Sequence, residues 1–364
     1  MRPFLRFFKD WALSKKMLGQ NNVLTDLVQV DVLLQQLISE KRVPGLAISV
    51  LKKGETIFQK GYGYANLETK EPVHPTGTIL RIASISKNIA AAALARMVAN
   101  GDLDLDASLY TYVPYFPKKR WDFTLRQLAG HTAGIRGYQG KEYGLNRRMS
   151  VKEGMALFAE DALVFEPGTD YLYTSFGWNL IALAMEEVSG MPFAAHVRQQ
   201  VLEPLEMHDT YAPQEMTPEL SGRLSSFYSK RGNKLREAIL VDNVYKLAGG
   251  GYLSTASDIS KFGNALLQDS FLPKEIRTEF LSAQNANGRL TYYGLGWQVS
   301  QDAKGRPFFG HVGNGVGGYS NLFVYPEQQL VFAVLINCTD PKVQDVLDQI
   351  LDVLLTPHQT GKGV

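Results

Sequence analysis

The sequence is poor in the residue patterns that build disulfides and metal sites. Cys338 is the only cysteine in 364 residues, so neither an intrachain disulfide nor a cysteine-based metal site can form. None of the six histidines belongs to an HExxH or HxHxD pattern, which disfavours zinc-dependent hydrolysis. The chain also lacks a Gly-x-Ser-x-Gly motif, so the nucleophile turn of α/β-hydrolases is not predicted.

Charge and hydropathy exclude further classes. The net charge is only +2 and no dense run of Lys and Arg occurs, so we do not expect a nucleic-acid partner. No apolar stretch reaches 18 residues, and no transmembrane helix is predicted. The composition is that of a globular protein, and the length is enough for two domains.

The sequence predicts a basic amphipathic arm over residues 1–24. Its large apolar residues, Phe4, Phe7, Phe8 and Trp11, share one face of a helix. Asp10 interrupts the apolar run that a secretory signal needs, so we predict none and expect a cytoplasmic location. The arm could contact an anionic membrane surface, contact another copy of the chain, or pack on the protein's own body.

The apolar periodicity predicts an α/β (α+β) fold. The predicted helices are residues 25–41, 84–99, 175–189, 192–203, 256–268 and 341–355, and the predicted strands are 45–53, 56–66, 292–300, 321–327 and 329–337. Strands at both ends of the chain suggest one antiparallel sheet, flanked by helices, with a large helical domain inserted. We therefore predict a discontinuous sheet domain (25–83 and 288–358), a mainly helical domain (84–287) and a tail (359–364), with a cleft where the two domains meet.

Two Ser-x-x-Lys motifs occur, and only one can bring its side chains together. Ser49 and Lys52 lie on a predicted strand, where residues three apart point to opposite faces. Ser84 and Lys87 open a predicted helix, where residues three apart share a face. Ser84 would then be a nucleophile at a helix N-terminus that favours an oxyanion, and a buried Lys87 would be its base. The alternative is that Ser84 caps the helix and Lys87 is exposed.

Two later stretches carry further candidate residues. Tyr173 and Ser175 precede a predicted helix, and a tyrosine there could relay protons if a neighbouring cation lowers its pKa. His311 and Gly313 lie on a strand, and the N–H of Asn314 could donate to an oxyanion. The alternatives are a helix cap with a packed tyrosine, and a glycine-rich turn with a satisfied histidine.

Taken in order, these motifs resemble a known family. Ser84-x-x-Lys87, Tyr173-x-Ser175 and His311-x-Gly313 resemble the serine β-lactamase and penicillin-binding protein superfamily, in its class C-like branch with D-aminopeptidases and esterases. The stretch VDNVYKLAGGGYLSTASDISKFGNALL (241–267) is similar to the mitochondrial serine β-lactamase-like proteins and their bacterial relatives. The resemblance spans about residues 40–340 and implies a β-lactamase/transpeptidase-like fold.

The resemblance implies acyl transfer without a metal or an organic cofactor. By analogy Ser84 attacks a carbonyl, Lys87 and Tyr173 relay the proton, and the N–H groups of Ser84 and Asn314 hold the oxyanion. It also implies catalytic assistance from His311 and substrate contacts at Ser175 and Gly313, with His131 as structural support.

Two departures from the family pattern shape the expected substrate. Ser175 stands where many members have Asn, and His311 stands where many have Lys. A histidine is mostly neutral at pH 7, so strong binding of a β-lactam carboxylate is disfavoured. We expect a serine hydrolase acting on a small peptide or amide. The alternatives are an esterase or weak β-lactamase with the same site, and a catalytically silent assembly or binding protein with this fold.

Overall fold

A computed structural model describes residues 23–232 and 234–356. The predicted tail and nearly all of the amphipathic arm, including its four large apolar residues, lie outside the described residues. The longer helices are α1 (Val23–Ser39), α2 (Ile85–Ala99), α3 (Phe176–Ser189), α4 (Ala256–Ala265) and α5 (Gln344–Leu355). Shorter helices are Leu109–Tyr112, Leu125–Ala129, Val151–Met155, Phe193–Val197, Pro218–Ser221 and Lys274–Phe280, with π-helical turns at Arg198–Leu202 and Leu247–Gly251. Short 3₁₀ turns lie at Gly140–Gly144, Pro213–Glu215 and Val244–Lys246.

The chain divides into two compact units. One comprises Met1–Arg42 and Lys342–Val364, and in its described part α1 packs against α5. Arg42 forms a salt bridge of 3.1 Å with Asp345 within that unit. The other unit, Val43–Pro341, contains every predicted site residue. The domain boundaries predicted from the sequence at residues 83/84 and 287/288 fall inside this second unit and stay a prediction.

A seven-stranded antiparallel sheet forms one layer of the larger unit. Its strands are β1 (Gly45–Lys52), β2 (Glu55–Asn66), β3 (Glu71–Pro72), β4 (Gln298–Gln301), β5 (Pro307–Gly315), β6 (Gly318–Tyr325) and β7 (Leu330–Ile336). Their order is β4-β5-β6-β7-β1-β2-β3, and Leu46 of β1 lies opposite Ile336 of β7. The predicted fold class, with one antiparallel sheet built from both ends of the chain and flanked by helices, is therefore confirmed.

Apolar composition explains the centre of the sheet. All seven residues of β7 and the first seven of β1 are buried, as expected for strands covered on both faces. Helix α4 packs on these strands, and Gly263 permits the close approach: a Cβ there would lie 2.6 Å from Val331. Outside this sheet, Leu80–Arg81 pairs with Leu253–Ser254, Tyr228–Arg231 pairs with Lys234–Glu237 and Cys338–Thr339, and Asn285–Ala286 pairs with Arg289–Leu290.

The predicted strand at 292–300 is wrong over most of its length, because only Gln298–Gln301 is a strand. Tyr292 and Gly296 have φ values of 56° and 87°, which reverse the chain where a strand would continue. Tyr293 and Trp297 are buried within this turn, so the apolar pattern of the segment arises from anchoring side chains.

Among the described residues, no helix is both long enough and apolar enough to cross a membrane.

Candidate active site

Ser84 occupies the position immediately before helix α2 without capping it. Its side chain makes no capping hydrogen bond, and the preceding Ala83 has a φ of 45°, which L-residues rarely adopt. Ser84 Oγ instead accepts a hydrogen bond of 2.8 Å from Tyr173 Oη and lies 3.3 Å from Lys87 Nζ. The structure therefore contradicts the capping alternative for Ser84.

Lys87 is completely buried beneath Ser84. Its Nζ lies 3.3 Å from Ser84 Oγ and 3.0 Å from Ser175 Oγ, and it donates a short hydrogen bond to the carbonyl of Gly249. Burial, and next the charge of Lys246, hold the pKa of the Lys87 amine well below its usual value. A neutral amine has a lone pair that can accept the proton of the Ser84 hydroxyl.

Tyr173 has the opposite protonation preference. Tyr173 is 37% exposed as a residue, but desolvation of its hydroxyl raises the pKa above the usual value, and the hydrogen bond with Ser84 opposes that rise only in part. The sequence suggested a proton relay on the condition that a neighbouring cation lowers the pKa of Tyr173. In the structure the pKa of Tyr173 is raised instead. Tyr173 keeps its proton at neutral pH and can pass one proton on only while receiving another.

His131 supports Tyr173 from behind. The ring centroid of His131 lies 4.5 Å from that of Tyr173 and 4.6 Å from that of Tyr293. His131 Nδ1 accepts a hydrogen bond of 3.3 Å from the backbone N–H of Thr174. His131 is buried, and burial holds the pKa of its imidazole well below the usual value. This location suits the structural role that the resemblance implies for His131.

His311 lies on β5 with both ring nitrogens occupied. Nδ1 donates to the carbonyl of Val312 at 2.6 Å, which leaves Nε2 to accept from Tyr293 Oη at 2.9 Å. Burial lowers the pKa of His311 to about 3. His311 is therefore neutral at physiological pH, and its ring centroid lies 5.8 Å from that of Tyr173. With both ring nitrogens engaged, His311 has the contacts expected of a residue that positions Tyr293, and its predicted catalytic role stays a prediction.

Ser175 precedes helix α3, but the side chain of Thr174 makes the hydrogen bond at the N-terminus of that helix. Thr174 Oγ1 accepts a 3.1 Å hydrogen bond from the N–H of Phe176, whereas the side chain of Ser175 makes no capping bond. The Ser175 hydroxyl is therefore available to Lys87. Ser175 Oγ lies 3.0 Å from Lys87 Nζ, and Ser175 also lines the cavity in front of Ser84.

Strand β5 passes directly beside Ser84. A Cβ at Gly313 would lie 2.2 Å from Ser320 Oγ, 2.6 Å from the carbonyl oxygen of Ile82 and 3.1 Å from the backbone nitrogen of Ser84. Only glycine permits this approach, which brings the next residue, Asn314, to the wall of the cavity that Ser84 also lines. The predicted oxyanion donors thus share one cavity, and their role stays a prediction.

The sequence interpretation missed several side chains of this site. Tyr293, which bonds His311, lies in the segment that was predicted as a strand. Arg81 and Lys246 line the same cavity as Ser84. The sequence signals for Lys246 are its place in the stretch 241–267 that carries part of the family resemblance and its position just before the run Gly249–Gly251, whose first carbonyl holds Lys87.

Comparison with known proteins identifies the family of this chain. The family model described as Beta-lactamase matches residues 30–355. The chain belongs to the Beta-lactamase family. Within that family it is a serine hydrolase, related to penicillin-binding proteins and esterases.

Curated relatives match most of this family member. The mitochondrial serine beta-lactamase-like protein LACTB of Homo sapiens is 28% identical over 392 residues, covering 81% of this chain and 71% of the relative. Penicillin-binding protein 4* of Bacillus subtilis is 25% identical over 307 residues, covering 80% and 67%.

Solved structures share the Beta-lactamase-family fold. The octameric penicillin-binding protein homologue from Pyrococcus abyssi superposes with a TM-score of 0.78 at 25% identity, covering 91% of this chain and 77% of that one. The D-amino acid amidase from Ochrobactrum anthropi superposes with a TM-score of 0.79 at 21% identity, covering 89% and 98%. The latter likeness concerns the fold alone.

Proposed function

We propose that Ser84 forms a covalent acyl-enzyme and that the substrate is a small peptide or another amide. One observation carries this proposal: Ser84 Oγ lies between a protonated phenol, 2.8 Å away, and a buried amine, 3.3 Å away. Serine is a weak nucleophile unless an adjacent base takes its proton. Lys87 supplies that base without a histidine or a carboxylate.

Ser84, Lys87 and Tyr173 are enough to account for every proton that moves in the acylation step. Ser84 Oγ forms a bond to the substrate carbonyl carbon while its proton moves to Lys87 Nζ. The N–H groups of Ser84 and Asn314 hold the oxyanion. As the carbon–nitrogen bond breaks, Tyr173 Oη gives its proton to the departing amine and regains one from Lys87. Water then attacks the acyl-enzyme, and the same groups act in the reverse order.

The protonated state of Tyr173 favours an amide as substrate. An amine leaves only when its nitrogen is protonated, whereas the alkoxide or phenoxide of many esters leaves more readily without an acid. Two proteins that share this fold, a D-stereospecific amidohydrolase and a D-amino acid amidase, are named for amide substrates, which makes an amide compatible with the fold. The neutral His311 gives no charge for a β-lactam carboxylate at its own position.

An esterase is the second candidate. Esterase EstB of Burkholderia gladioli is 31% identical to this chain over 199 residues, covering 50% of each protein. The acyl-enzyme chemistry is the same for both substrates, so only a comparison of substrates separates them.

Intact-mass spectrometry after incubation with a fluorophosphonate tests the acyl-enzyme. We expect one adduct on the wild type and none on Ser84→Ala. Ser49→Ala is the matched control, because it removes the serine of the other Ser-x-x-Lys motif, and it should keep the adduct. A folded wild type without an adduct would overturn the proposal and favour the silent assembly or binding protein.

Substrate choice is tested by kcat/KM on peptide anilides and on esters with the same acyl group. Turnover of the anilides that Ser84→Ala abolishes supports the amide proposal. Turnover confined to the esters would contradict it and favour the esterase.

A further inference from the structure

Two cationic side chains line the cavity in front of Ser84. Lys246 is 7% exposed, and its Nζ donates a 3.2 Å hydrogen bond to the carbonyl of Tyr143. Arg81 donates a 2.7 Å hydrogen bond from Nη1 to the carbonyl of Val316, and its guanidinium lies 3.9 Å from the ring centroid of Phe227. Backbone carbonyls and an aromatic ring therefore hold both cations in place.

Neither cation forms a salt bridge with a carboxylate in the part of the chain that the structure describes. No carboxylate of that part lies within 4.0 Å of either head group, and the cavity lining contains no Asp or Glu. An ammonium group has three N–H donors and a guanidinium has five, so donors remain for a ligand.

Burial makes these cations costly for the folded protein. Burial, and next the charge of Arg81, lower the pKa of Lys246 to about 8, and burial lowers the pKa of Arg81 to about 10. The charge of Asp242 opposes the change at Lys246 only in part. An anion placed between the cations would offset this cost, as buried charges are stable when they are paired.

The remaining polar groups of the cavity fit an anionic ligand. Asn243 and Asn314 add amide side chains to the lining, and Ser84 lies on the wall of the same space. His311 is neutral and both of its ring nitrogens are engaged. The positive charge beside the nucleophile therefore comes from Arg81 and Lys246, and the latter lies within the stretch 241–267 that carries part of the family resemblance.

We propose that Arg81 and Lys246 bind a carboxylate of the substrate while Ser84 attacks its carbonyl. This inference rests on the proposed function and narrows its substrates to acyl compounds that carry a second, anionic group. In a peptide that group is a terminal carboxylate or the side chain of an acidic residue. Charge-assisted hydrogen bonds of this kind discriminate against neutral analogues.

Matched ester pairs test the inference, because each pair shares its reacting bond. Mono-(4-nitrophenyl) glutarate is compared with 4-nitrophenyl pentanoate, which places the carboxylate on the acyl side. 3-Carboxyphenyl acetate is compared with phenyl acetate, which places it on the leaving side. We expect kcat/KM to favour the carboxylate by about tenfold or more in one of the pairs. Equal rates in both pairs would overturn the inference.

Variants assign the preference to the two cations. Lys246→Gln and Arg81→Gln should each reduce the carboxylate-to-neutral ratio of kcat/KM, whereas Lys52→Gln, at an exposed strand end, should keep the wild-type ratio. The ratio is measured within one protein, so a general loss of activity does not disturb it. A ratio unchanged in both cavity variants would overturn the assignment.

If the variants fail to fold, a binding measurement on the wild type tests the inference instead. Glutarate should slow fluorophosphonate labelling of Ser84 more than the neutral glutaramide does, and equal effects would contradict the inference. Failure of the proposed function gives a different result. In that case Ser84 is not labelled, and Ser84→Ala turns over every ester as the wild type does.

Discussion

At the scale of single residues, the site depends on two groups that burial drives in opposite directions. Desolvation disfavours the charged form of each, which favours the neutral amine of Lys87 and the protonated phenol of Tyr173. The sequence identified both residues and the burial of Lys87, because the spacing and the apolar surroundings are local. It could not supply the direction of the Tyr173 pKa, which depends on contacts with distant residues such as His131 and Tyr293.

Replacing Lys87 by methionine should change how stability depends on pH. The pKa of Lys87 is lower in the folded state than its ordinary value of 10.5, so the unfolded state binds the additional proton. Burial of Lys87 therefore destabilises the folded wild type. This destabilisation is fully present when the pH is below the pKa of Lys87 in the folded state, and it disappears as the pH rises towards 10.5. We expect the melting temperature of Lys87→Met relative to wild type to be highest near pH 7 and to fall towards pH 10.

Thermal unfolding at several pH values measures this effect. Within the titration window, the free energy of unfolding of the wild type should gain about 1.4 kcal/mol per pH unit relative to the variant. Lys52→Met, at an exposed strand end, serves as the control and should leave the pH profile unchanged. Parallel profiles for wild type and Lys87→Met would show that Lys87 is protonated in the folded protein.

Replacing Tyr173 by phenylalanine should slow acylation while the fold persists. The phenyl ring preserves the stacking with His131 and Tyr293, and only the hydroxyl that donates to Ser84 is lost. A positioned general acid or base contributes about 10²- to 10⁴-fold, so the rate of amide hydrolysis should fall by that amount. Stopped-flow or mass-resolved kinetics would measure it, and a loss below threefold would argue that Lys87 acts without the tyrosine.

At the scale of elements, helix positions were easier to predict than turns. Helices α2 and α3 begin within one residue of the predicted positions, because their apolar faces and preceding polar residues are local signals. The segment 292–297 was not predicted correctly, because its buried aromatic residues imitate the alternation of a strand. The π-helical turn Leu247–Gly251 was not predicted either, although its glycines were assigned to close packing.

Gly249→Ala tests whether the turn Leu247–Gly251 holds Lys87 in position. A Cβ at this position would lie 2.9 Å from the Cβ and 3.0 Å from the carbonyl oxygen of Ser175, so one of the two backbones must move. We expect a loss of about 1–3 kcal/mol in the free energy of unfolding and slower labelling of Ser84, because the Gly249 carbonyl also holds Lys87.

Gly77→Ala is the matched control, since its Cβ would meet only His74 at an ordinary 3.4 Å. Chemical denaturation and labelling kinetics should show a near-wild-type protein in that case. An unperturbed Gly249→Ala would mean that the turn and helix α3 can separate without disturbing Lys87.

At the scale of the whole molecule, the sequence predicted the sheet from both chain ends and a cleft, but not the two cations that line the cavity, Arg81 and Lys246. Apolar strand patterns at both ends are enough to predict one sheet. The cavity brings together Arg81, Ser84, Lys246 and Asn314, which lie far apart in the sequence. A pairing of this kind has no local pattern, so only the folded chain reveals it.

Removing residues 1–22 should leave the chemistry intact, because all candidate site residues belong to the unit Val43–Pro341. We expect the shortened protein to be labelled by a fluorophosphonate at the wild-type rate. Cosedimentation of both proteins with anionic vesicles then tests the predicted membrane contact of the arm. A loss of labelling after the truncation would show that the arm takes part in building the site.

The pairing of β1 with β7 has a consequence for the synthesis of this enzyme. Lys52 leaves the ribosome long before its partner Leu330, a delay on the order of tens of seconds at ordinary translation rates. During that time β1 lacks one neighbour, and Ser84 lacks the strand that brings Asn314 beside it. Acylating activity should therefore appear only when the chain is nearly complete, and stalled or prematurely terminated chains should be inert.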